Sequence, residues 1–338
     1  MIQKSTLILI LLLPLLWLGC GQPRSWGDWD EVTVFIDSLD REQLEPELRQ
    51  AFEAHSISPQ LEPWFGLNFV DQDQLNSLAN RRLLLFVGSR IDADSPVNSY
   101  VRSLFGNEEL ERIRSGEQLL FARENALAQP QQVVILPASD PDALAGLLRQ
   151  RDTSLVQLFL DYTLSQAQEQ IYSRYEQEDL ADSLYQMLNV KLRIPHDYQV
   201  VNAMPEQNLL RFRRYHPDRW VAVQTLPGLP ADPYDPTYLL DLRDSLGVYF
   251  YDRVYVERDP DFQRVTPVHV NGIDGVCLEG LWGTFEMIGG GPYIMYLFPD
   301  HTNNRTILVD GAVFAPGKDK NPFLLQLLSI LEAYGDRK

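Results

Sequence analysis

The stretch GLWGTFEMIGGGPYIMYLFPD, residues 280–300, decides the fold of the second half of the chain. Two strand-like runs, 276–285 and 293–298, flank the glycines at 289–291. Glycines free the backbone for a reversal, and Pro292 fixes the start of the second run. A phosphate-binding loop would need a following Lys-Ser/Thr and a helix, whereas a strand-like run follows here. The stretch therefore predicts a hairpin or bulge between two core strands.

The rest of the second half repeats this pattern of short strand-like runs. Leu210 and Phe212 alternate with Arg211 and Arg213, which predicts one buried and one charged strand face. Two apolar-periodic segments indicate helices, the second with Asn321 as its N-cap. The predicted strands are 199–202, 209–215, 220–225, 265–270, 276–285, 293–298 and 306–314, and the predicted helices are 238–246 and 322–334.

The first half also contains strand-like runs. Residues 31–37 alternate with the period of a strand, whereas the apolar runs at 81–88 and 132–137 indicate strands buried on both faces. Because strands outnumber helices and short turns join most of them, the chain predicts an α+β fold in two halves, 31–190 and 191–338. Each half is expected to be a largely antiparallel sheet with helices packed on it.

Helices in the first half are indicated by their caps and apolar stripes. Asp140 before Pro141 is the usual order of an N-cap and a first helical residue. A long apolar stripe predicts a helix over 154–189, broken near Glu178.

The N-terminus carries the features of a lipoprotein signal. Lys4 precedes an apolar run at 7–18 and then Gly19-Cys20. The run is too short for a membrane-spanning helix, which needs about 20 residues. We therefore predict a signal peptide over 1–19, cleavage before Cys20 and membrane attachment through a lipid on that cysteine. The body is expected to face the periplasm.

Residues 20–30 form a polar tether that keeps the body close to its membrane. Trp26 and Trp29 within it have two interpretations. They lie at the lipid interface, as Trp often does, or they cap the globular core.

Composition excludes several classes of function. Twenty-nine basic and 47 acidic residues give a net charge of −18, which argues against nucleic acid and anionic lipid surfaces as partners. With Cys20 lipidated, Cys277 is the remaining thiol, so no intramolecular disulfide is expected, and it is predicted to pack as a small apolar residue.

Signatures of known catalytic sites are absent from the sequence: G-x-S-x-G, the P-loop, C-x-x-C and H-E-x-x-H. The five histidines are dispersed, so we predict no metal site and no cofactor. Two acid pairs, Asp241 with Asp244 and Glu279 with Glu286, are candidates for acid-base chemistry. Solvated faces also explain acids in so acidic a chain.

Several motifs resemble one known family. Residues 281–283, 290–293 and 309–318, followed by a Leu-rich helix, resemble the C-terminal signature of an uncharacterised bacterial envelope lipoprotein family, a domain of unknown function. Residues 61–65 and 192–198 resemble its other marks. The resemblance implies a lipoprotein and nothing catalytic.

Two functions remain open. The first is a non-enzymatic binding or assembly module whose sheet or cleft engages an envelope protein or polysaccharide. The alternative is an envelope hydrolase that uses carboxylates, which a cleft with two acids and one raised pKa would favour. The candidate binding residues are Trp282, Gly289, Gly290, Gly291, Pro292 and Tyr293. A turn between core strands is the competing interpretation of these residues.

Overall fold

The structure is a computed structural model that describes residues 22–53, 55–60, 62–150, 154–173, 175–250, 254–285 and 289–336. The predicted signal peptide 1–19, the predicted lipidation site Cys20 and Glu286 lie outside the described residues.

The N-terminal half alternates strands with helices. Its elements are β1 (Glu31–Ile36), α1 (Ser38–Ala51), β2 (His55–Ser56), β3 (Glu62–Pro63), β4 (Gly66–Val70), α2 (Leu75–Leu78), β5 (Leu83–Gly88), α3 (Pro96–Ser103), α4 (Asn107–Arg114), β6 (Phe121–Glu124), β7 (Gln132–Pro137) and α5 (Pro141–Arg149). The strands of the main sheet follow the order β4-β1-β5-β7-β6. Buried side chains of α1 and α5 pack on one face of this sheet, and those of α3 and α4 on the other.

Strand direction in this half corrects the predicted antiparallel arrangement. β1 pairs in parallel with β4 and with β5, and β5 pairs in parallel with β7, whereas β6 is antiparallel to β7. Helices between the strands carry the chain back to the same end of the sheet, which makes parallel pairing possible. β5 and β7 are buried at every position, as is usual for parallel strands covered on both faces.

Two helices connect the halves, α6 (Ser154–Tyr172) and α7 (Glu178–Leu188). The predicted break in the long helix is confirmed, because the first helix ends at Tyr172 and the second begins at Glu178.

The C-terminal half is built on a large antiparallel sheet, as predicted. Its elements are β8 (Gln199–Met204), β9 (Leu209–Arg214), β10 (Asp218–Pro227), α8 (Pro236–Phe250), β11 (Val254–Val256), β12 (Gln263–Val270), β13 (Ile273–Thr284), β14 (Gly290–Asp300), β15 (Arg305–Phe314) and α9 (Asn321–Leu331). The strand order is β11-β13-β14-β15-β10-β9-β8, and β12 also pairs with β13. The α+β fold in two parts is therefore confirmed.

Both faces of this sheet are covered. One face joins α6, α9 and the N-terminal half in a single apolar core, and the other packs against α8. Arg211, on the face of β9 predicted to be charged, is only 7% exposed, so this face is buried as well at that residue. The alternation correctly places Arg211 on the strand face opposite to that of Leu210 and Phe212. It does not indicate that this second face is also covered.

The N-terminus of α9 is capped from the other half of the chain. Lys320, not Asn321 as predicted, occupies the N-cap position. The Glu62 carboxylate accepts the backbone N–H of Lys320 at 2.5 Å and that of Asn321 at 3.3 Å. A carboxylate at the positive end of a helix is stabilising. Asn321 instead donates its side-chain amide to the carbonyl of Pro63 at 2.8 Å.

The segment predicted as a tether is hydrogen-bonded to the folded body from Pro23 onward. Gln129 donates its N–H to the Pro23 carbonyl at 2.9 Å, and Ser25 donates to the Gln129 carbonyl at 3.1 Å. Trp29 packs against the core beneath the guanidinium of Arg82. Trp26 is 47% exposed, so the two tryptophans have different environments.

No helix among the described residues is long and apolar enough to cross a membrane.

Candidate functional site

The candidate binding residues of the β13–β14 hairpin come together in the sheet. Trp282 pairs with Gly291, Leu281 with Pro292, and Gly280 with Tyr293. Trp282 is 7% exposed and Tyr293 is fully buried. The Trp282 ring packs edge-on against Trp220, with ring centroids 5.8 Å apart. These two aromatic side chains therefore belong to the apolar layer under α8, and their part in binding stays a prediction.

The glycines allow the strands to approach closely. A Cβ on Gly290 would lie 2.6 Å from the Trp282 carbonyl oxygen, and one on Gly291 would overlap the Val313 carbonyl. Gly289 is less restricted, since its nearest neighbour would be the Thr284 hydroxyl at 3.3 Å. None of these three has a positive φ. Close packing of the backbone, and not a left-handed turn, explains why glycine is needed.

A buried ion pair lies beneath this hairpin. Arg243 of α8 and Asp310 of β15 approach to 2.6 Å, and the guanidinium also lies 4.7 Å from the centroid of the Tyr293 ring. Burial raises the pKa of Asp310 to about 6, and the charge of Arg243 opposes that rise. The core encloses both charged side chains. The pair therefore affects the stability of the fold and is not accessible to a ligand.

The three described members of the candidate acid pairs, Asp241, Asp244 and Glu279, are held in ion pairs. Asp241 and Asp244 both contact Arg258, at 2.7 and 3.4 Å, and Asp244 also accepts the backbone N–H of Val256. Glu279 pairs with Arg264 at 2.6 Å.

Metal-binding groups are not gathered within the described ranges: no cluster of three or more His, Cys, Asp or Glu side chains is suited to a metal ion. Cys277 is buried, as predicted, and burial raises the pKa of its thiol.

A cleft at the junction of the two halves has the properties of a binding site. It has a volume of about 730 Å³. From the N-terminal half, Asp28 and Asp30 precede β1, Arg82 precedes β5, and all three line the cleft. Thr163 of α6 also lines it. The C-terminal half contributes 195–198, Arg214 and Gln326. We call it the junction cleft. Its volume lies within the range of about 300–1,000 Å³ that is usual for small-molecule sites.

Two residues that line the junction cleft have buried hydroxyl groups. Tyr198 is 2% exposed and Thr163 is 1% exposed. Among the described residues, neither hydroxyl has a hydrogen-bond partner. A buried polar group without a partner costs about 1–3 kcal/mol, so these two hydroxyls lower the stability of the fold.

Basic and acidic side chains both line the junction cleft. Arg214 pairs with Asp197 at 2.7 Å, next to the buried Arg219. Asp28, Asp30 and Asp319 also line an adjoining cleft of about 490 Å³, which Arg214 does not line. The pKa of Asp30 is raised, first by burial and then by the neighbouring carboxylates.

Sequence reasoning did not find this cleft. Its residues come from segments far apart in the chain, and no spacing rule connects them. Of the arginines at 211, 213, 214 and 219, Arg214 lines the cleft, and the sequence does not distinguish it from the others.

Comparisons with known proteins divide the chain at the same junction. Residues 25–172 match a domain of unknown function (DUF8532), and residues 177–333 match another domain of unknown function (DUF4837). The predicted match to a domain of unknown function is thereby confirmed. No curated protein matches the chain.

Two solved structures show a weak similarity. The Ran-binding protein Mog1p of Saccharomyces cerevisiae has a TM-score of 0.30 and 9% identity over 43% of this chain and 88% of its own. LpqN of Mycobacterium tuberculosis, which is involved in cell envelope biogenesis, has a TM-score of 0.26 and 11% identity over 42% of this chain and 79% of its own. TM-scores this low give no basis for transferring a function.

Proposed function

We propose that the chain is an exported envelope lipoprotein, anchored through a lipid on Cys20, whose body is a non-enzymatic binding module. The anchor rests on Lys4, the apolar run at 7–18 and Gly19-Cys20. Because the chain is already hydrogen-bonded to the body at Pro23, the body would lie directly against the membrane that holds the lipid.

The junction cleft is the proposed binding site, and its volume of about 730 Å³ between the two halves carries this proposal. Polar and charged residues line it, among them Asp30, His196 and Arg214. Such groups can contact a polar ligand in the cleft. The ligand is a component of the envelope, either part of a protein or part of a polysaccharide.

The anchor is tested by labelling with fatty acid in the expressing cell. Cys20→Ala should incorporate no label and should leave the membrane fraction or accumulate as an uncleaved precursor. Cys277→Ala is the matched control, since it removes the other cysteine, and should be labelled like the wild type. Label in Cys20→Ala would contradict the anchor.

The cleft is tested by filling it. Full-length protein in detergent is incubated with fragments of digested envelope, washed, and analysed by mass spectrometry for retained small molecules. Ala167→Phe places a ring in the junction cleft and should abolish retention. Ala122→Phe, at an exposed position of β6, should retain the same molecules as the wild type. Equal retention by a folded Ala167→Phe protein would remove the cleft as the binding site.

A carboxylate-dependent hydrolase is the second candidate, favoured by one observation. Asp30 has a raised pKa in a cleft that also contains Asp28 and Asp319, and a proton donor needs such a shift. The test is release of soluble sugars from peptidoglycan or other envelope polysaccharide. Release that is lost in Asp30→Asn and kept in the exposed control Asp73→Asn would support hydrolysis. No release by the wild type would exclude this activity on those substrates.

A further inference from the structure

The segment that follows the proposed lipidation site is fastened to one edge of the N-terminal half. The side-chain amide of Gln22 donates to the backbone carbonyl of Asn125 at 2.7 Å. Further along, Trp26 donates its N–H to the Asn80 carbonyl at 2.9 Å, and Arg82 donates to the Trp26 carbonyl at 3.1 Å. The segment is therefore attached to two loops of the body from its first described residue onward.

A buried glutamine joins these two loops to each other. Gln131 is fully buried, and its side-chain amide donates to the carbonyls of Ala79 and Arg81 at 2.7 and 2.8 Å. Its side-chain oxygen accepts the backbone N–H groups of Leu127 and Ala128. These bonds hold three segments together as one surface, which we call the tether face: residues 22–27, 79–82 and 125–131.

The tether face lies at the amino ends of the parallel strands. β5 begins at Leu83 and β7 at Gln132, each directly after one of the two loops, and β1 begins shortly after residue 27. Because these strands pair in parallel, their amino ends share one edge of the sheet. Their carboxyl ends lie at the opposite edge, about 20 Å away along strands of six residues.

The length of the chain places the tether face next to the proposed lipid. Cys20 is two residues before Gln22, and two residues span at most about 7 Å when fully extended. Acyl chains on Cys20 would lie in the bilayer, so Gln22 would lie within that distance of a residue at the membrane surface. The hydrogen bond from Gln22 to Asn125 then keeps the rest of the tether face close to the lipid.

The charge of the tether face also suits a lipid surface. Its three segments contain three arginines and no Asp or Glu, although the whole chain has 47 acidic residues. Asp28, Glu31 and Glu124 border it, and Glu31 is paired with Arg81 at 2.6 Å. The acidic excess that argues against lipid contact for the chain as a whole is therefore absent from this face.

An exposed aromatic ring belongs to the tether face. Trp26 is 47% exposed, whereas Trp64, Trp220 and Trp282 are 7%, 6% and 7% exposed. The guanidinium of Arg81 lies 4.3 Å from the centroid of the Trp26 ring. Tryptophan is favoured at the boundary between acyl chains and headgroups, and an arginine beside it can keep its charge among the headgroups.

We propose that the tether face lies on a phospholipid membrane, with Trp26 in the interface. This inference rests on the proposed anchor and adds the orientation of the body. The amino ends of β1, β5 and β7 face the lipid, and their carboxyl ends face away from it. The junction cleft adjoins the tether face, because Arg82 lines the cleft and donates to the Gly27 carbonyl.

Tryptophan fluorescence of the purified mature lipoprotein in phosphatidylcholine vesicles tests the contact. Bromine atoms on the acyl chains quench a tryptophan at the interface, so emission should be lower in brominated than in plain vesicles. Trp26→Phe should abolish this difference. Trp29→Phe is the matched control, since it changes a ring packed against the core, and should keep the difference.

Two results of this experiment would overturn the lipid contact. One is equal emission of the wild type in both kinds of vesicle, which would favour an envelope protein as the partner of the tether face. The other is a difference that persists in a folded Trp26→Phe protein.

Spin labels measure the orientation. Cys20 would be blocked by its lipid and Cys277 is buried, so the label reacts with a cysteine introduced at an exposed position. Ala126→Cys lies on the tether face, and Leu39→Cys, at an 86% exposed residue, follows the carboxyl end of β1. A nickel-chelating lipid should relax the label at 126 several-fold more strongly than the label at 39. Equal or reversed relaxation in the two folded proteins would contradict the orientation.

The outcomes separate this inference from the anchor on which it rests. If fatty acid labels the wild type and not Cys20→Ala, while quenching and relaxation both fail as described, the anchor stands and the tether-face contact is wrong. If the wild type takes up no fatty acid, the anchor and the tether-face contact are both wrong.

Discussion

Arg243 of α8 and Asp310 of β15 form an ion pair of 2.6 Å in which the two side chains are 3% and 2% exposed. The pair joins the helix on the outer face of the large sheet to a central strand. Both charges lose their hydration, so each depends on the other.

Removing one member of this pair should be strongly destabilising. Arg243→Met leaves Asp310 buried without its partner, and we expect a loss of about 3–5 kcal/mol in the free energy of unfolding. Urea unfolding followed by circular dichroism measures it. Arg243→Met combined with Asp310→Leu should recover most of the loss, because no charge is then left buried. A single variant within about 1 kcal/mol of the wild type would show that the pair is not enclosed as described.

The same carboxylate predicts a dependence of stability on pH. Asp310 has a pKa of about 6 in the folded chain and an ordinary value of 3.8. The folded state therefore holds a proton that the unfolded state releases between those values, so this group's contribution to stability is full below pH 3.8 and is lost as pH rises through about 6. The difference in unfolding free energy between wild type and Asp310→Asn should fall by a few kcal/mol from pH 4 to pH 7, at about 1.4 kcal/mol per pKa unit. A difference independent of pH would contradict the raised pKa.

Glycine substitutions in the β13–β14 hairpin should be graded by backbone contact. Gly291→Ala would overlap the Val313 carbonyl and should cost about 1–3 kcal/mol or more. Gly289→Ala should cost less, since its added Cβ meets only a side-chain hydroxyl. Gly146→Ala in α5 is the control: it meets nothing within 4 Å and should stabilise the helix by about 0.5–1 kcal/mol. Thermal unfolding of the three proteins gives the order, and equal midpoints for Gly291→Ala and Gly289→Ala would refute it.

Two adjacent leucines of α9 should differ in their contribution to stability. Leu327 is fully buried, whereas Leu328 is half-buried at the margin of the same core. Leu327→Ala should cost about 2–5 kcal/mol, and Leu328→Ala clearly less. The urea midpoints of both variants measure this difference. The reverse order would mean that α9 packs with another face toward the sheet.

The hairpin at 280–300 and the apolar runs at 81–88 and 132–137 were predictable because their patterns are local. Alternation, glycine and proline positions and unbroken apolar runs reflect which faces each segment buries. The predicted strands of the second half, the break near Glu178 and the two-part α+β organisation followed from them. Local patterns also predict a leader that ends before Cys20, a prediction on residues outside the described ones.

Only the tertiary structure decided how these segments meet. The parallel pairing of β1, β4, β5 and β7 depends on where helices return the chain. The sequence of a buried strand does not indicate whether its neighbours run parallel or antiparallel to it. The cap of α9 comes from Glu62, far away in sequence. The junction cleft likewise joins Asp30, Thr163, Tyr198 and Arg214 from separate elements. Its charges become a site only because long-range packing places them together and removes them from water.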